Sequence, residues 1–404
     1  MLSFLTRNAR WLAGGLLLTL FSSFGQTFFI GLSGRYILEE FALTDGEFGM
    51  IYMICTLASA ATLPWLGQLV DRLRGARMVL AVMPGLALAC VLMAIAPVVP
   101  VLALAIYLLR LLGQGMMTHI ALTEISRWFD ANRGRAISLV VPGHQLGEAV
   151  LPILFAVVAL ASDWRFAWLV SAALILLAAL PAIYLLIRVD RVPAEHDPVG
   201  YAPAQIQQWT RPEVLRDPVF HVMLAGVLAP AFIGTTIFFH QAHLTELRGY
   251  PPLAFAGAFP LMAGTTVVCG LVAGQLVDRF GAIRLLPFFL VPLTFATLAA
   301  ASIEAPWGVY LFMVMFGVSY GMTSTMMGAL WPEVYGTRHL GSVRAVVVAA
   351  MVFATALGPG LTGALIDRGI ALPTQLYWMA GWSVAASYGL FLAARAVTDR
   401  RGSA

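Results

Sequence analysis

Gly67-Gln68-Leu69-Val70-Asp71-Arg72 recurs, residue for residue, as Gly274-Gln275-Leu276-Val277-Asp278-Arg279, about half of the 404-residue chain later. Each copy closes a long apolar run and opens a short charged turn. This spacing is far longer than the roughly 20 to 50 residues of a solenoid repeat. The shared hexapeptide therefore indicates an internal duplication, with a chain built from two similar halves.

The composition indicates that most of the chain is surrounded by lipid. Hydrophobic residues make up 60% of the sequence and charged residues 11%, whereas soluble domains carry about 25% charged residues. Cys55, Cys90 and Cys269 each lie alone inside an apolar run, a pattern that predicts small core residues and no disulfide framework, metal site or redox chemistry. All 24 basic residues are arginines in short clusters, not in one basic stripe, so we expect no nucleic-acid partner.

Twelve apolar runs are long enough to cross a hydrocarbon core of about 30 Å, which takes about 20 helical residues. Lipid offers no hydrogen-bond partner to the backbone, so runs of this length predict helices. The first run lacks a small-residue cleavage site, so we expect a retained span and not a signal peptide. The runs lie near 11–34, 48–70, 78–97, 101–127, 136–160, 166–187, 219–243, 253–277, 284–303, 306–331, 343–366 and 374–396.

The predicted fold is an all-α integral membrane protein with twelve transmembrane helices in two parallel six-helix repeats. The longest interruption is polar and proline-rich, which is typical of a linker. We therefore predict an N-terminal six-helix bundle at 1–187, a cytoplasmic linker at 188–218 and a C-terminal six-helix bundle at 219–404. Within the linker, Thr210-Arg211-Pro212-Glu213 has the spacing of a capping box, which favours a short interfacial helix; a disordered proline-rich loop is the alternative.

The placement of the arginines predicts the orientation, because basic residues accumulate in cytoplasmic loops. With the N-terminus inside, only Arg35, Arg165, Arg248 and Arg368 lie outside, and Arg110 lies within a span. All other arginines are then cytoplasmic. We expect both termini in the cytoplasm and the protein in a bacterial-type cytoplasmic (inner) membrane.

The repeated hexapeptide resembles the signature of the major facilitator superfamily of secondary transporters, Gly-x-x-x-Asp-Arg-x-Gly-Arg between spans two and three. The second copy also carries Gly281, whereas the first departs from the pattern with Arg74 at the position of the second glycine. Arg110, Gly113 and Gly115 are similar to the arginine-glycine pattern of span four in that family. Segments such as Arg127-Trp128-Phe129 are most similar to bacterial relatives of the monocarboxylate porters.

A cytoplasmic gate is the role that the resemblance implies for the two loops. Glycines let a neighbouring helix approach closely, and an Asp-Arg pair at the membrane boundary can bond to helix ends and to charges across the halves. The alternative is a pair of loops that merely follow the positive-inside bias. The predicted gate residues are Gly67, Asp71, Arg72, Gly274, Asp278 and Arg279.

The order of the repeats favours alternating access. Arg135-Ala136 and Arg344-Ala345 each begin the fifth span of a half, as in parallel repeats that rock around a midplane site. We therefore expect the substrate to bind between the halves.

Ionisable residues inside lipid cost roughly 2.5 kcal/mol or more on insertion scales, so they are functional candidates. Arg110 and Glu148 lie at depths that are compatible with a pair near the middle of the membrane. Arg110 is then the anchor of an anionic substrate and Glu148 a proton-carrying partner; a purely structural ion pair is the alternative. His144 lies one turn before Glu148 and is a candidate for modulating the proton, whereas we expect water to solvate Glu124 at the inner boundary.

Span seven carries the densest polar cluster. His240 and His243 are three residues apart, which predicts a shared helix face, and Gln241 lies between them. A His-Gln segment of this kind is similar to the monocarboxylate-like relatives and favours an outer vestibule site. We predict that His240 and Gln241 bind the substrate and that His243 takes part in proton coupling. A snorkelling interface histidine is the alternative for His243. A metal site formed by the two histidines is a further alternative, but no third ligand is apparent nearby.

The resemblance implies that spans one, four, seven and ten line the cavity, which makes Gln26 and Tyr320 candidates for substrate binding. The alternative for both residues is a hydrogen bond that holds two helices together. Glycines four residues apart predict close helix contacts at Gly143/Gly147, Gly317/Gly321 and Gly270/Gly274.

The function that we expect is secondary active transport of a small organic anion such as a monocarboxylate, driven by an ion gradient, with H⁺ favoured, and requiring no other cofactor. The alternative is a multidrug or other small-molecule efflux pump of the same fold. No nucleophile and base or set of metal ligands converges at one depth, so we do not expect an enzyme. The expected partners are the substrate and the lipid bilayer, and the expected state is a monomer.

Overall fold

The computed structural model describes residues 2–129, 133–189, 191, 208–336 and 338–402, and these residues contain helices and no strand. They group into two compact units. Unit 1 comprises Met1–Tyr201 and Gln241–His243, and unit 2 comprises Ala202–His240 and Leu244–Ala404. The predicted bounds of the domains stay predictions, since most of 188–218 lies outside the described residues.

Unit 1 is built from eleven helices, interrupted by 3₁₀ turns at Ser22–Gly25 and Gly31–Ser33 and by π-helical segments at Leu109–Met117 and Leu174–Ala179. The helices are α1 (Leu2–Phe21), α2 (Thr27–Ile30), α3 (Gly34–Phe41), α4 (Asp45–Arg72), α5 (Gly75–Ile95), α6 (Val99–Leu108), α7 (Thr118–Trp128), α8 (Arg133–Val140), α9 (Gly143–Ala161), α10 (Trp164–Ala173) and α11 (Leu180–Ile187).

Unit 2 has longer and less interrupted helices. They are α12 (Arg211–Arg216), α13 (Pro218–Phe239), α14 (Gln241–Arg248, of which the first three residues belong to unit 1), α15 (Ala254–Phe280), α16 (Ala282–Leu285), α17 (Val291–Ser302), α18 (Trp307–Tyr335), α19 (Leu340–Asp367) and α20 (Leu372–Gly402).

The described residues contain nine helices that are long and apolar enough to cross a membrane, or ten when the bent pair Thr6–Gly25 and Thr27–Phe41 counts as one span. The two remaining predicted spans are also helical: α17 is shorter, with 12 residues, and α20 has 31 residues. The predicted all-α membrane fold is confirmed, and these helices are consistent with twelve spans.

Local sequence signals set several helix ends. The predicted capping box before α12 is present: the Glu213 carboxylate accepts hydrogen bonds from the backbone N–H of Thr210 at 2.7 Å and from its hydroxyl at 2.8 Å. The alternative of a disordered loop is therefore wrong at this position. These bonds hold the pKa of Glu213 below its usual range. Thr44 and Glu47 form a second capping box before α4.

Asp217, at the start of α13 and outside the spans, links three helices of unit 2. Its carboxylate accepts two hydrogen bonds from Arg400 and one from the Tyr335 hydroxyl, each at 2.9 Å. Burial alone raises the pKa of Asp217, but these bonds and one from the Val219 N–H outweigh it and hold the pKa below its usual range. The bidentate pair therefore fixes the ends of α13, α18 and α20 at one boundary.

Close glycine contacts pack the helices, as the sequence predicts. A Cβ at Gly143 would overlap the Thr19 side chain and the Leu16 carbonyl, so α9 lies against the backbone of α1. In unit 2, a Cβ at Gly317 would overlap Thr265, and one at Gly321 would lie 2.8 Å from the Gly270 nitrogen. By contrast, a Cβ at Gly274 would lie 3.9 Å from Thr325 Cγ2, which is an ordinary van der Waals distance.

We predict that Gly143→Ala lowers the thermal stability of the detergent-solubilised protein, because the added methyl group must displace backbone. Overpacking of this kind costs about 1–3 kcal/mol. Gly264→Ala is the matched control: a Cβ there meets nothing within 4 Å, so the gain in helix propensity should leave stability equal or higher. Equal unfolding midpoints for Gly143→Ala and wild type would contradict the close contact of α1 and α9.

Candidate substrate and proton site

The first span is broken where the sequence analysis expected a continuous helix. Ser22–Gly25 is a 3₁₀ turn, and Gln26 follows in an extended conformation with φ −82° and ψ 153°. The two parts of the span meet at 46°. Ser and Gly are weak helix formers, and the Ser22 hydroxyl bonds back to the Thr19 carbonyl at 2.7 Å. Irregular backbone within a membrane is tolerated only where protein buries it or a polar cavity contacts it.

The fourth span is irregular at the point where it meets this break. Leu109–Met117 is π-helical, a geometry that is frequent at functional sites. A Cβ at Gly113 would lie 2.7 Å from both Cα and N of Gly25, and one at Gly25 would overlap the Gln114 nitrogen. Only two glycines allow the two backbones to come so close.

Arg110 lies in the π-helical segment and is 3% exposed. Its Nη1 donates to the Gly25 carbonyl at 3.0 Å, and its guanidinium carbon lies 5.4 Å from the centre of the Tyr52 ring. Nε is buried and makes no hydrogen bond. In the described part of the chain, no acidic side chain forms an ion pair with Arg110.

Tyr52 of α4 contacts both Arg110 and the start of α2, which follows the break in the first span. It is 0% exposed, and its hydroxyl lies 2.6 Å from the Thr27 hydroxyl, one residue after Gln26. Sequence reasoning did not single out Tyr52. The sequence does contain a signal for it, because Tyr52 lies in the middle of an apolar span. A buried tyrosine hydroxyl usually has a hydrogen-bond partner.

His144 and Glu148 lie one turn apart on α9, beside the same break. His144 Nδ1 lies 3.2 Å from the Ser22 hydroxyl. Gly147 packs so closely that a Cβ there would overlap the Ser23 hydroxyl. Glu148 is 9% exposed, and its Oε2 is buried with no hydrogen-bond partner. Unit 1 therefore collects a cation, a carboxyl group and an imidazole around Ser22–Gln26.

The structure does not contain the ion pair that was considered for Arg110 and Glu148. No ion pair joins Arg110 to Glu148 in the described residues. The guanidinium bonds to the Gly25 carbonyl and lies over the Tyr52 ring. The Glu148 Oε2 atom is buried and makes no hydrogen bond. The roles of both residues in binding and proton coupling stay predictions.

The shared helix face expected for His240 and His243 is wrong, because α13 ends at Phe239 and His240 adopts φ −90° and ψ 19°. His240 is 2% exposed, with Nε2 lying 3.2 Å from the Pro359 carbonyl. Within unit 1, Gln241 donates to the Phe28 carbonyl at 2.8 Å, and His243 Nδ1 lies 3.1 Å from Asp45 Oδ2. The helix break thus sends the three polar residues to different partners.

Tyr320 lies in unit 2 and is 37% exposed. Its ring stacks on Phe316, with centroids 5.8 Å apart. It lines a cavity of about 400 Å³ together with Ser324 and Arg344. The Arg344 guanidinium donates to the Gly328 carbonyl at 2.8 Å. Tyr320 therefore stays a candidate for substrate binding, in a cavity of unit 2 that has both polar and apolar side chains.

The predicted gate residues are mostly exposed. Arg72, Asp278 and Arg279 face outward, and the Arg279 guanidinium carbon lies 5.1 Å from the centre of the Phe280 ring. A Cβ at Gly67 would lie 3.2 Å from His119 Nε2. The side chain of Asp71 lies outside the described residues, and the gate stays a prediction.

Two carboxylates next to the gate loops make contacts that the sequence analysis did not predict. Glu124 is 4% exposed, not solvated as expected, and accepts a hydrogen bond from Arg127 at 3.1 Å. A Cβ at Gly75 would lie 2.6 Å from its Cγ. In the other unit, Glu333 accepts a hydrogen bond from the Ala282 N–H at 2.7 Å. The spacing from Glu124 to Glu333 equals that from Arg135 to Arg344, a signal by which the pair could have been found.

This helical, membrane-spanning fold with a buried charged cluster is that of a membrane transporter. The family model of the Major Facilitator Superfamily matches residues 15–359. The chain belongs to that superfamily, which confirms the resemblance of its loops.

Curated relatives are distant. A probable sulfoacetate transporter, SauU, of Cupriavidus necator is 24% identical over 368 residues, which cover 84% of this chain and 83% of that protein. Monocarboxylate transporter 4 of Gallus gallus is 29% identical over 100 residues, 25% of this chain. The MFS transporter asaE of Aspergillus flavus is 25% identical over 250 residues. The matches span only 21% and 53% of the lengths of the last two proteins.

Solved structures show the same fold at low sequence identity. A bacterial homologue of the human lysosomal transporter Spinster has a TM-score of 0.74 at 16% identity, with 97% of this chain and 98% of that chain covered. The nucleoside transporter NupG has a TM-score of 0.68 at 14% identity, with 95% and 98% covered.

We predict that Tyr52→Phe and Tyr52→Leu separate the contribution of the Tyr52 hydroxyl from that of its ring. The phenylalanine removes the hydroxyl and with it the hydrogen bond to Thr27, a loss of about 0.5–1.5 kcal/mol in the free energy of unfolding. The leucine also removes the ring from Arg110, which adds about 1–2 kcal/mol for a desolvated cation–π contact. Tyr388→Phe is the control, since Tyr388 is 64% exposed. Denaturation in detergent measures the difference, and equal stability of the two Tyr52 variants would contradict the cation–π contact.

Proposed function

We propose that this transporter moves a small organic anion, such as a monocarboxylate, together with a proton by alternating access. The observation that carries the proposal is Arg110: a buried cation with a free Nε and no acidic partner among the described residues. A charge at this depth costs roughly 2.5–3.5 kcal/mol on insertion scales. A carboxylate substrate supplies the missing negative charge.

The geometry of the guanidinium suits a carboxylate. Nη1 is held by the Gly25 carbonyl at 3.0 Å, and the Tyr52 ring lies beside the guanidinium carbon. The edge formed by Nε and Nη2 makes no hydrogen bond to the residues that the structure describes. Two parallel N–H donors on one edge match the two oxygens of a carboxylate. The protein thus orients the cation and leaves one edge for the substrate.

Glu148 is the proposed proton carrier. Its Oε2 has no hydrogen-bond partner in the structure, and carboxyl groups inside membrane helices serve as proton relays in many transporters. His144, whose ring contacts Ser22, is the proposed modulator because it links α9 to the broken stretch. The driving ion of this proposal is H⁺, and no other cofactor is required.

The relatives support an anion. Two similar proteins are named for anionic compounds, sulfoacetate and monocarboxylates. The alternative, efflux of a cationic or hydrophobic drug, is favoured by one observation: the partnerless Glu148 carboxyl would suit a cation. Arg110 near the same break would repel that cation, so the anion is the better fit.

We predict that Arg110→Gln lowers uptake of a carboxylate that the wild type takes up, such as lactate or sulfoacetate, by about 100-fold or more. This loss corresponds to about 3 kcal/mol for a buried charge-assisted pair. Arg110→Lys should also be impaired, because an ammonium group cannot offer two donors on one planar edge. Glu148→Gln should retain exchange of the same anion but lose the response to a pH gradient.

The matched control is Arg284→Gln, which removes an exposed arginine. Uptake into proteoliposomes with labelled carboxylate, with and without an inward proton gradient, gives the result. Folded Arg110→Gln protein with wild-type apparent affinity would overturn the anion site. Faster transport of cations by Arg110→Gln than by the wild type, with unchanged transport of carboxylates, would favour the drug pump.

A further inference from the structure

Unit 2 carries an apolar groove that the proposed transport function does not use. It has a volume of about 500 Å³, and three helices form it: α13 provides the floor, and α19 and α20 provide the walls. The side chains that define it include Leu228, Phe232, Phe353, Leu361, Trp378 and Trp382.

The groove is open at the surface of unit 2. Phe353 and Trp378 are each 55% exposed and Trp382 is 52% exposed. They lie on helices of a membrane-spanning fold, where the surrounding solvent is lipid. An apolar groove in this position is filled by hydrocarbon, since water has no polar partners along its walls.

The length of the groove matches one leaflet. Along α19 it extends from Phe353 to Leu365, which is about 18 Å at 1.5 Å per helical residue. Half of a hydrocarbon core is about 15 Å. The groove begins near the boundary where α19 ends at Asp367 and α20 begins at Leu372. It therefore accommodates one extended acyl chain of the adjoining leaflet.

Polar groups without partners lie at this boundary end. Thr362 and Gln375 both line the groove and are each 1% exposed. Gln375 Nε2 donates to the carbonyls of Ile370 at 2.9 Å and Thr362 at 3.2 Å, whereas Gln375 Oε1 and Thr362 Oγ1 make no hydrogen bond. A buried polar atom without a partner costs about 1–3 kcal/mol. The rest of the groove is lined by apolar side chains.

We propose that this groove is a binding site for a glycerophospholipid, with one acyl chain between α19 and α20 and the glycerol ester region at Thr362 and Gln375. The Thr362 hydroxyl donates to an ester carbonyl, and Gln375 Oε1 accepts from a donor in the headgroup. Both residues lie about 5–8 Å from the ends of their helices, the depth of the glycerol esters just inside the headgroups. The exposed Arg368 caps α19 at the same boundary and is placed to meet the phosphate.

The test is native mass spectrometry of the full-length chain in detergent, titrated with dioleoyl phosphatidylethanolamine. The wild type should bind one lipid tightly. Ala225→Phe, which fills the groove, should weaken this binding about tenfold or more, and Thr362→Val, which removes only the hydroxyl, about threefold to tenfold. If Ala225→Phe does not fold, Leu361→Ser, which makes one wall polar, should weaken binding instead.

Two controls keep the result specific. Ala385→Phe adds the same bulk to an exposed position of α20 outside the groove, and Thr294→Val removes a hydroxyl that already bonds to the Leu290 carbonyl. Both should bind like the wild type. The dialkyl ether analogue lacks ester carbonyls, so Thr362→Val should not weaken its binding further.

Three results would overturn the site. The first is that the groove-filling variant and Thr362→Val both bind the lipid with wild-type affinity. The second is that Ala385→Phe weakens lipid binding as much as Ala225→Phe does, and the third is that the wild type binds the diester and diether lipids with equal affinity. Transport measurements do not enter the test, so its outcome is independent of the proposed substrate.

Discussion

The hydrogen bond from Arg110 to the Gly25 carbonyl is the interaction on which the candidate site depends. A carbonyl that a regular helix would use internally is available there only because the first span is broken at Gln26. The cation reaches it only because the fourth span is π-helical and Gly113 lies against Gly25. A membrane tolerates neither irregularity unless protein groups satisfy the freed backbone. The two defects therefore stabilise each other and hold one guanidinium in a fixed orientation.

The all-helical membrane fold and several helix ends could be predicted from the sequence because they depend on local quantities. Run length and hydropathy give the spans, and Thr210 with Glu213 gives the start of α12. The close contact of α9 with α1 at Gly143 could also be predicted, because glycines four residues apart indicate a helix contact. The buried positions of Arg110 and Glu148 follow from the same reasoning, because a charge within an apolar run is visible in the sequence.

The features that assemble the site could not be predicted in this way. A π-helical segment adds residues to a turn without changing hydropathy, and the contact of Gly25 with Gly113 joins residues far apart in the chain. The end of α13 at Phe239 has no proline or glycine to mark it. The burial of Glu124 depends on Arg127 and Gly75, which no window around Glu124 combines. Long-range packing, and not periodicity, decides each of these cases.

The duplication also shows where the halves differ. At the spacing that relates Glu124 to Glu333, the position of Arg110 corresponds to Ser319, a buried serine that bonds to the Phe289 carbonyl. One half thus carries the buried cation, and the other half has a serine with a neutral hydrogen bond at the same position.

An anion site at Arg110 is tested most directly by uptake into proteoliposomes that contain the wild-type protein. The compounds are used in matched pairs, and each pair consists of a small carboxylate and its neutral amide. We expect uptake of at least one carboxylate, accelerated by an inward proton gradient, with its amide excluded. Equal uptake of amide and acid, or uptake of cations alone, would contradict an anion site at Arg110.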